Sequence, residues 1–387
     1  MDFALSDDQE LFAKTIHDWV ERECPKQYAN QLERREFEYP YELWDKMTAA
    51  GLHGIGIDEE FGGQGGDVMT QTIVARELAR SLAGLTWVWG ISSFAGGKSV
   101  GLYGTDEQKA RFLPDLAAGK VRFSIAVTEP GGGTDVLGAM KTKASKVDGG
   151  WRITGQKIWS TTADIADYLL LLARSDADVP KKTQGLTLFL VPGKSDGMEV
   201  RNIHKLGMRC VPSAEVFLDN VFVPDDLVLG EPGRAWYMLL GTLNNERIIL
   251  AALCCGILDG VLESALEYVQ QREAFGRVIG GFQAVQHVIA DIAMWQRQAE
   301  LITMQAAWLQ SRGEPCGTEA NMAKLLASEY AVAAADAGIQ LLGGMGYAAE
   351  TDMQRYWRDC RIYRIAPITN EMVRNTVAES LGLPRSF

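Results

Sequence analysis

Between residues 122 and 232 the apolar residues alternate with a period near two, and on either side of that window they recur at the spacing of an α-helix. Segments Phe123–Val127, Lys141–Lys146, Trp151–Thr154, Tyr168–Ala173, Gly185–Val191 and Glu215–Phe222 are short, rich in β-branched and aromatic residues, and bounded by Gly, Asp or Pro, which predicts strands. No helical pattern separates one from the next. A doubly wound sheet is thereby ruled against, and a compact antiparallel barrel or sandwich is expected.

Ahead of the strands, Ser6 and Gln9 have the spacing of a capping box, and Leu11, Phe12, Ile16 and Val20 follow at helical intervals. Further helical stretches run from Glu42 to Ala50, Val68 to Ala83 and Asp106 to Ala118. Glu59–Gly66 reads as a loop, because four glycines are costly inside a helix. After Gly233 long helical stretches near 234–270, 281–312 and 317–342 precede shorter ones near 351–361 and 370–381, as in an antiparallel bundle. The expected architecture is α+β: an N-terminal helical domain over 1–121, a middle antiparallel β domain over 122–232, and a C-terminal helical bundle over 233–387.

Composition narrows the function classes. The 387 residues carry a net charge of -12, which argues against nucleic acid, whose binding needs basic stripes to replace phosphate counterions. It does not exclude a phosphorylated cofactor, since local backbone N–H groups can hold one. The acidic N-terminus lacks the pattern of a signal peptide. The apolar run Ile248–Leu258 is eleven residues long, short of the roughly 18 that a membrane span needs. Six cysteines without framework spacing read as reduced, mostly buried thiols. With four scattered histidines no metal site is expected. A soluble protein of the cytoplasm is the reading.

Four segments carry chemical signals. Thr128-Glu-Pro-Gly-Gly-Gly-Thr-Asp135 exposes backbone N–H groups beside a hydroxyl and a carboxylate. It can cradle a phosphate or address a ring carbonyl, or be an ordinary Gly-rich turn. It lacks the dinucleotide-binding spacing. In Gly155-Gln-Lys-Ile-Trp-Ser-Thr-Thr-Ala-Asp164, Trp159 beside Ser160 and Thr161 suits a flat heteroaromatic ring, although a core Trp at a strand end reads the same way in isolation. Gln270–Gly276 running into Phe282–Gln286, and Gln340-Leu-Leu-Gly-Gly344, are each explicable alone as capping or surface polarity.

In this order, and with Lys205-Leu-Gly-Met-Arg209, Val223–Gly230 and Trp357-Arg-Asp359, the chain resembles the acyl-CoA dehydrogenase family over essentially its whole length. The resemblance implies FAD, a CoA thioester substrate, a homotetramer and an electron-transferring flavoprotein as partner. Carried over by position, it implies that Thr128, Ser160 and Thr161 meet the flavin ring with Trp159 packed beside it. Thr134 would lie near both cofactor and substrate. Arg272, Phe275, Gln283, Gln340 and Gly344 would hold the adenosine diphosphate half across a subunit interface, and Thr369 and Glu371 fall in a C-terminal flavin-contacting segment.

The implied reaction, α,β-dehydrogenation of an acyl-CoA to the trans-2-enoyl-CoA, needs a carboxylate to accept the α-proton and donors to stabilise the developing enolate. The family's usual base is a Glu near the C-terminus, and Pro367 stands there. A minority of the family, including isovaleryl- and long-chain-type members, places the Glu before an Arg on the first long bundle helix. Glu246 occupies that position, between Asn244 and Arg247, where it leads into an apolar run. Pairing of Glu246 with Arg247 is the competing reading, weakened because adjacent helical residues point apart. Pro367 also removes a backbone N–H that the family aims at the thioester oxygen. Either the loop shifts so that Ile368 donates, or one donor is missing. The same scaffold admits an enoyl-CoA reductase, an oxygen-using relative, or a silent FAD-binding subunit.

Overall fold

The computed structural model describes residues 5–385, so the first four residues of the acidic N-terminus lie outside it. The front of the chain forms α1 (Asp7–Glu23), α2 (Lys26–Arg34), α3 (Tyr41–Ala49), α4 (Val68–Ser81), α5 (Ala83–Ser92), α6 (Ser99–Tyr103) and α7 (Asp106–Ala117). The capping box is present, with Gln9 N–H donating to Ser6 Oγ at 3.3 Å and Ser6 N–H to Gln9 Oε1 at 3.0 Å. Ile16 and Val20 are buried, whereas Leu11 is 66% exposed and lies off the packed face. Periodicity missed α5 and α6, which a π-helical stretch over Ser93–Lys98 links. α5 is almost wholly buried, so no amphipathic rhythm marks it, and the five residues of α6 are too few to show one.

The middle of the chain forms β1 (Phe123–Ala126), a single helical turn α8 (Val136–Ala139), β2 (Lys143–Val147), β3 (Gly150–Thr161), β4 (Tyr168–Arg174), β5 (Leu186–Pro192), β6 (Met198–Asn202), β7 (Ser213–Pro224) and β8 (Val228–Leu229). Of the expected antiparallel barrel or sandwich, a closed barrel is not what forms, and the pairing is not wholly antiparallel. The strand order β6-β7-β3-β2-β4-β5-β8 is an open path, with no pairing between its ends among the described residues. β1 pairs with β4 in parallel, Phe123 opposite Tyr168, and β2 touches β4 in parallel at Lys143 and Arg174. A period of two fixes which face a side chain takes, not the direction of its neighbour. The long excursion through the β2–β3 hairpin supplies the crossover that parallel pairing requires.

Helices resume with α9 (Ala235–Gln271), a small hairpin of β9 (Glu273–Ala274) and β10 (Arg277–Val278), then α10 (Gln283–Ser311), α11 (Gly317–Leu342), α12 (Gly344–Tyr347), α13 (Met353–Cys360) and α14 (Asn370–Ser380). The core ignores sequence order. Trp19, Leu43, Leu78 and Trp89 from the front helices share one cluster with Leu250, Leu258, Ala327 and Tyr356 from the rear. The strands form a second cluster with Phe112 and Leu116 of α7 and Ala235 and Met238 of α9. All six cysteines are buried and unpaired.

α9 and α11 are long and apolar enough by length and composition to cross a membrane, more than the eleven-residue run alone indicates. In α9, 78% of the apolar window is buried within the protein, so a core position accounts for its composition. α4 lies against it so closely that a Cβ on Gly256 would fall 2.1 Å from the Arg76 carbonyl oxygen. Arg76 donates to Asp259 at 2.6 and 3.1 Å and to Glu300 at 2.7 Å, which ties α4 to α9 and α10.

Arg355 on α13, fully buried, likewise donates to Asn30 Oδ1 at 2.8 Å, to Asp352 Oδ1 at 2.9 Å and to the Ser81 carbonyl. Breaking a buried charge network by removing one member costs about 3–5 kcal/mol. Arg355→Met is therefore expected to lower stability by that amount, read from the midpoint of urea unfolding.

Candidate functional site

Glu246 lies on α9 between the buried residues Asn245 and Ile248 and is itself partly exposed. Among the described residues its carboxylate has no hydrogen-bond or ion-pair partner. The pairing with Arg247 is not formed: Arg247 Nη1 reaches only Asn244 Oδ1, at 3.4 Å, and its Nε is buried without a partner. Asn244 Nδ2 makes a 3.8 Å contact with Cys316 Sγ at the start of α11. Burial pushes the Glu246 carboxyl up to about 7, against the smaller opposing pull of Arg247. A partly open carboxyl with protein in place of its solvent shell and no partner can accept a proton near neutrality.

The two segments singled out around 128–135 and 155–164 are held together by a buried ion pair. Lys157, without exposed surface, donates to Glu129 Oε1 at 2.8 Å and to the Val127 carbonyl at 3.1 Å. Glu129 also accepts from the backbone N–H groups of Lys141 at 2.6 Å and Thr142 at 3.0 Å. Ile158 N–H donates to the Thr128 carbonyl at 2.9 Å, which joins the segments through the backbone as well. Sequence reasoning passed over Glu129 and Lys157. A charged residue within the apolar run of a strand was the available signal.

The second segment is mostly strand, since β3 runs past its expected end at Thr154. β3 continues to Thr161, and a register shift between Lys157 and Ser160 turns Trp159 outward at φ 62°, leaving it 51% exposed. Ser160 is buried and its hydroxyl has no partner, while Thr128 and Thr161 are half-buried and Thr134 is exposed. Asp135 caps α8 by accepting from Gly138 N–H at 2.8 Å.

Arg272, Phe275, Gln283, Gln340 and Gly344 are all exposed, Phe275 at 96%. Consecutive helices α9, α10 and α11 pack side by side through short connections, so the end of α9, the start of α10 and the end of α11 meet at one end of the bundle. From Glu246 to Gln271 the helix runs 25 residues, about 38 Å at 1.5 Å per residue. The strand core meets α9 at Ala235 and Met238, near its beginning. A single chain therefore brings Thr128, Trp159, Ser160 and Thr161 together and gathers the Arg272 group separately. Thr369 caps α14 by accepting from Met372 N–H at 3.3 Å, and Glu371, exposed, has its carboxyl lowered chiefly by its own backbone N–H.

Three family profiles match: acyl-CoA dehydrogenase N-terminal domain over residues 6–120, middle domain over 124–221 and C-terminal domain over 233–382. A short/branched chain specific acyl-CoA dehydrogenase of Bos taurus is 37% identical, over 86% of this chain and 76% of its own. The caffeyl-CoA reductase–Etf complex subunit CarC of Acetobacterium woodii is 33% identical, over 97% of this chain and 99% of its own. Butyryl-CoA dehydrogenase from Megasphaera elsdenii superposes with a TM-score of 0.93 at 30% identity, over 99% of this chain and 100% of its own. The chain belongs to the acyl-CoA dehydrogenase family, whose members are FAD-dependent oxidoreductases.

The residues present fit such a cofactor. A flat ring can be met by the outward Trp159 face and the unpartnered Ser160 hydroxyl, and a Cβ on Gly133 would meet nothing within 4 Å. At the far end a Cβ on Gly343 or Gly344 would also stand in open space. Lys157→Met would strand the Glu129 carboxylate in the interior, at about 3–5 kcal/mol. The expected outcome is a lower unfolding midpoint and a lower FAD-to-protein ratio on purification, measured by absorbance.

Proposed function

We propose that this chain oxidises an acyl-CoA thioester to its trans-2-enoyl-CoA, with Glu246 accepting the α-proton. The observation that carries the reading is the unpaired Glu246 carboxyl, partly open at the edge of a buried helix and raised to about 7 by burial. When bound, FAD supplies the acceptor for the β-hydride. Thr128, Ser160 and Thr161 offer hydroxyls to its ring and Trp159 a packing face, with Thr134 at the exposed rim between ring and substrate. Thr369 and Glu371 close the same region from the C-terminal side. Asn244 and Arg247 flank the base on the substrate side, and the unmet Arg247 Nε is available to an acceptor.

Arg272, Phe275, Gln283, Gln340 and Gly344 serve the adenosine diphosphate half of a second subunit's FAD. Their exposure and their distance along α9 from Glu246 support a homo-oligomer, and the family resemblance specifies a homotetramer. An electron-transferring flavoprotein is the proposed redox partner, supported by the relative named as a subunit of a reductase–Etf complex. Relatives named 3-(aryl)acrylate reductase and prolyl acyl carrier protein oxidase make the direction of reaction and the final acceptor the points to test.

Glu246→Gln is expected to keep FAD bound and to abolish bleaching of the oxidised flavin band by acyl-CoAs; a variant that still bleached would remove Glu246 from the mechanism. In the wild type, the single-turnover rate of bleaching should rise with pH and level off above about 7, because only the ionised carboxyl accepts a proton. The folded value stands above the ordinary 4.5, so ionising Glu246 works against folding as pH rises from 4.5 to about 7. Glu246→Gln should accordingly be at least as stable as the wild type at pH 8 by thermal unfolding. Stopped-flow reoxidation faster with oxygen than with an electron-transferring flavoprotein would favour an oxidase, and flavin oxidation by enoyl-CoA without the reverse reaction a reductase.

A further inference from the structure

Lys324 on α11 is completely buried, and among the described residues no carboxylate lies within ion-pair distance of its ammonium. Its Nζ donates to the Ile368 carbonyl at 2.6 Å and to Asn370 Oδ1 at 2.6 Å. Asn370, also buried, donates in turn to Ser328 Oγ at 3.0 Å and Glu329 Oε1 at 3.0 Å. A buried cation bonded only to neutral oxygens is expensive. A hydrophobic residue at this position would serve packing better, so the cost points to what its bonds hold in place.

They hold the segment from Pro367 to Asn370. The Asn244–Cys316 contact sets the start of α11 beside the turn of α9 that carries Glu246. Two turns further along α11, Lys324 feels the charges of Arg247 from α9, of Glu371 and of Glu329. The pinned segment thus lies toward the Glu246 end of the bundle. Proline at 367 has no N–H. The next two residues, Ile368 and Thr369, are partly exposed, and neither N–H has a partner among the described residues. Lys324 bound to the Ile368 carbonyl also polarises the peptide whose N–H belongs to Thr369.

We propose that Lys324 is a positioning residue, which pins the Ile368–Thr369 peptide beside the reacting thioester so that this segment supplies the backbone donor Pro367 cannot. The inference rests on the dehydrogenase reading of Glu246. It replaces a missing interaction with a shifted one, and its signature is polarisation of the substrate carbonyl.

The test uses FAD-loaded protein and crotonyl-CoA labelled with carbon-13 at the carbonyl, observed by difference infrared spectroscopy. The wild type should lower the carbonyl stretch on binding. Lys324→Met should lose most of that shift and cut turnover about 10²–10³-fold, as for a lost oxyanion donor, with KM changed far less. An unshifted wild-type carbonyl, or a full shift retained in Lys324→Met, overturns the proposal. Pro367→Ala, which regains an N–H, decides independently should Lys324→Met not fold. A rise in turnover of about fivefold or more means that the wild-type loop lacks a donor and overturns the assignment, and a smaller change supports it. The infrared readout needs only thioester binding, so failure of the Glu246 reading, seen as no bleaching with any acyl-CoA, is distinguishable from failure of this one.

Discussion

Helix α9 crosses α4 with the two backbones almost in contact, and the placement of everything else depends on that crossing. Side chains at residues 256 and 260 would stand 2.1 Å and 2.5 Å from the carbonyl oxygens of Arg76 and Arg80, so glycine is required at both. The Arg76 guanidinium then bonds both Asp259 carboxylate oxygens and Glu300 in the wall of the crossing. A 37-residue helix with a buried, apolar middle is fixed in rotation and in height. Fixing it puts Glu246 at the level of the strand domain and Gln271 at the opposite end of the bundle. One rigid helix sets the distance between the two groups of cofactor-type residues.

Three ionisable side chains near these segments are wholly or partly removed from water, and their partners separate their roles. Lys157 has a carboxylate at 2.8 Å, and the pair fastens two loops. Lys324 has only neutral oxygens, the Ile368 carbonyl beside a proline and the Asn370 side-chain amide. Glu246 has nothing, and burial raises its carboxyl to about 7. Full desolvation of an isolated charge costs far more than any single hydrogen bond returns. An unpaired carboxylate therefore persists only where it stays partly open and can take up a proton, which is how Glu246 is placed.

Much of the fold is legible in the chain because helices and half-buried strands write their period into it. The capping box at Ser6 and the long helices after Gly233 lie where the pattern put them. The misses have definite causes. α5 is buried on nearly all sides, so it shows no alternation of polarity, and α6 is only five residues long. The parallel pairing of β1 with β4 is a relation between segments more than forty residues apart, and nothing local encodes direction. In the site, the segments around Thr128 and Trp159 announce themselves by glycines and hydroxyls. The Glu129–Lys157 pair beneath them does not, because a lysine inside a strand gains meaning only when its partner is known.

By itself the sequence determined the order of helical and strand segments, the family with its flavin chemistry, and the one carboxylate placed ahead of an apolar helix once Pro367 had taken the usual position. Those properties live in residue identity and local spacing. The tertiary structure alone decided that Glu246 stands unpaired beside Arg247, that the front and rear helices share one core, and that the Arg272 group lies about 38 Å along α9 from Glu246. It also decided that a buried lysine holds the segment after the proline. These are matters of burial and of contact between distant residues, and the energy of a charge is fixed by what surrounds it in space rather than by its neighbours along the chain.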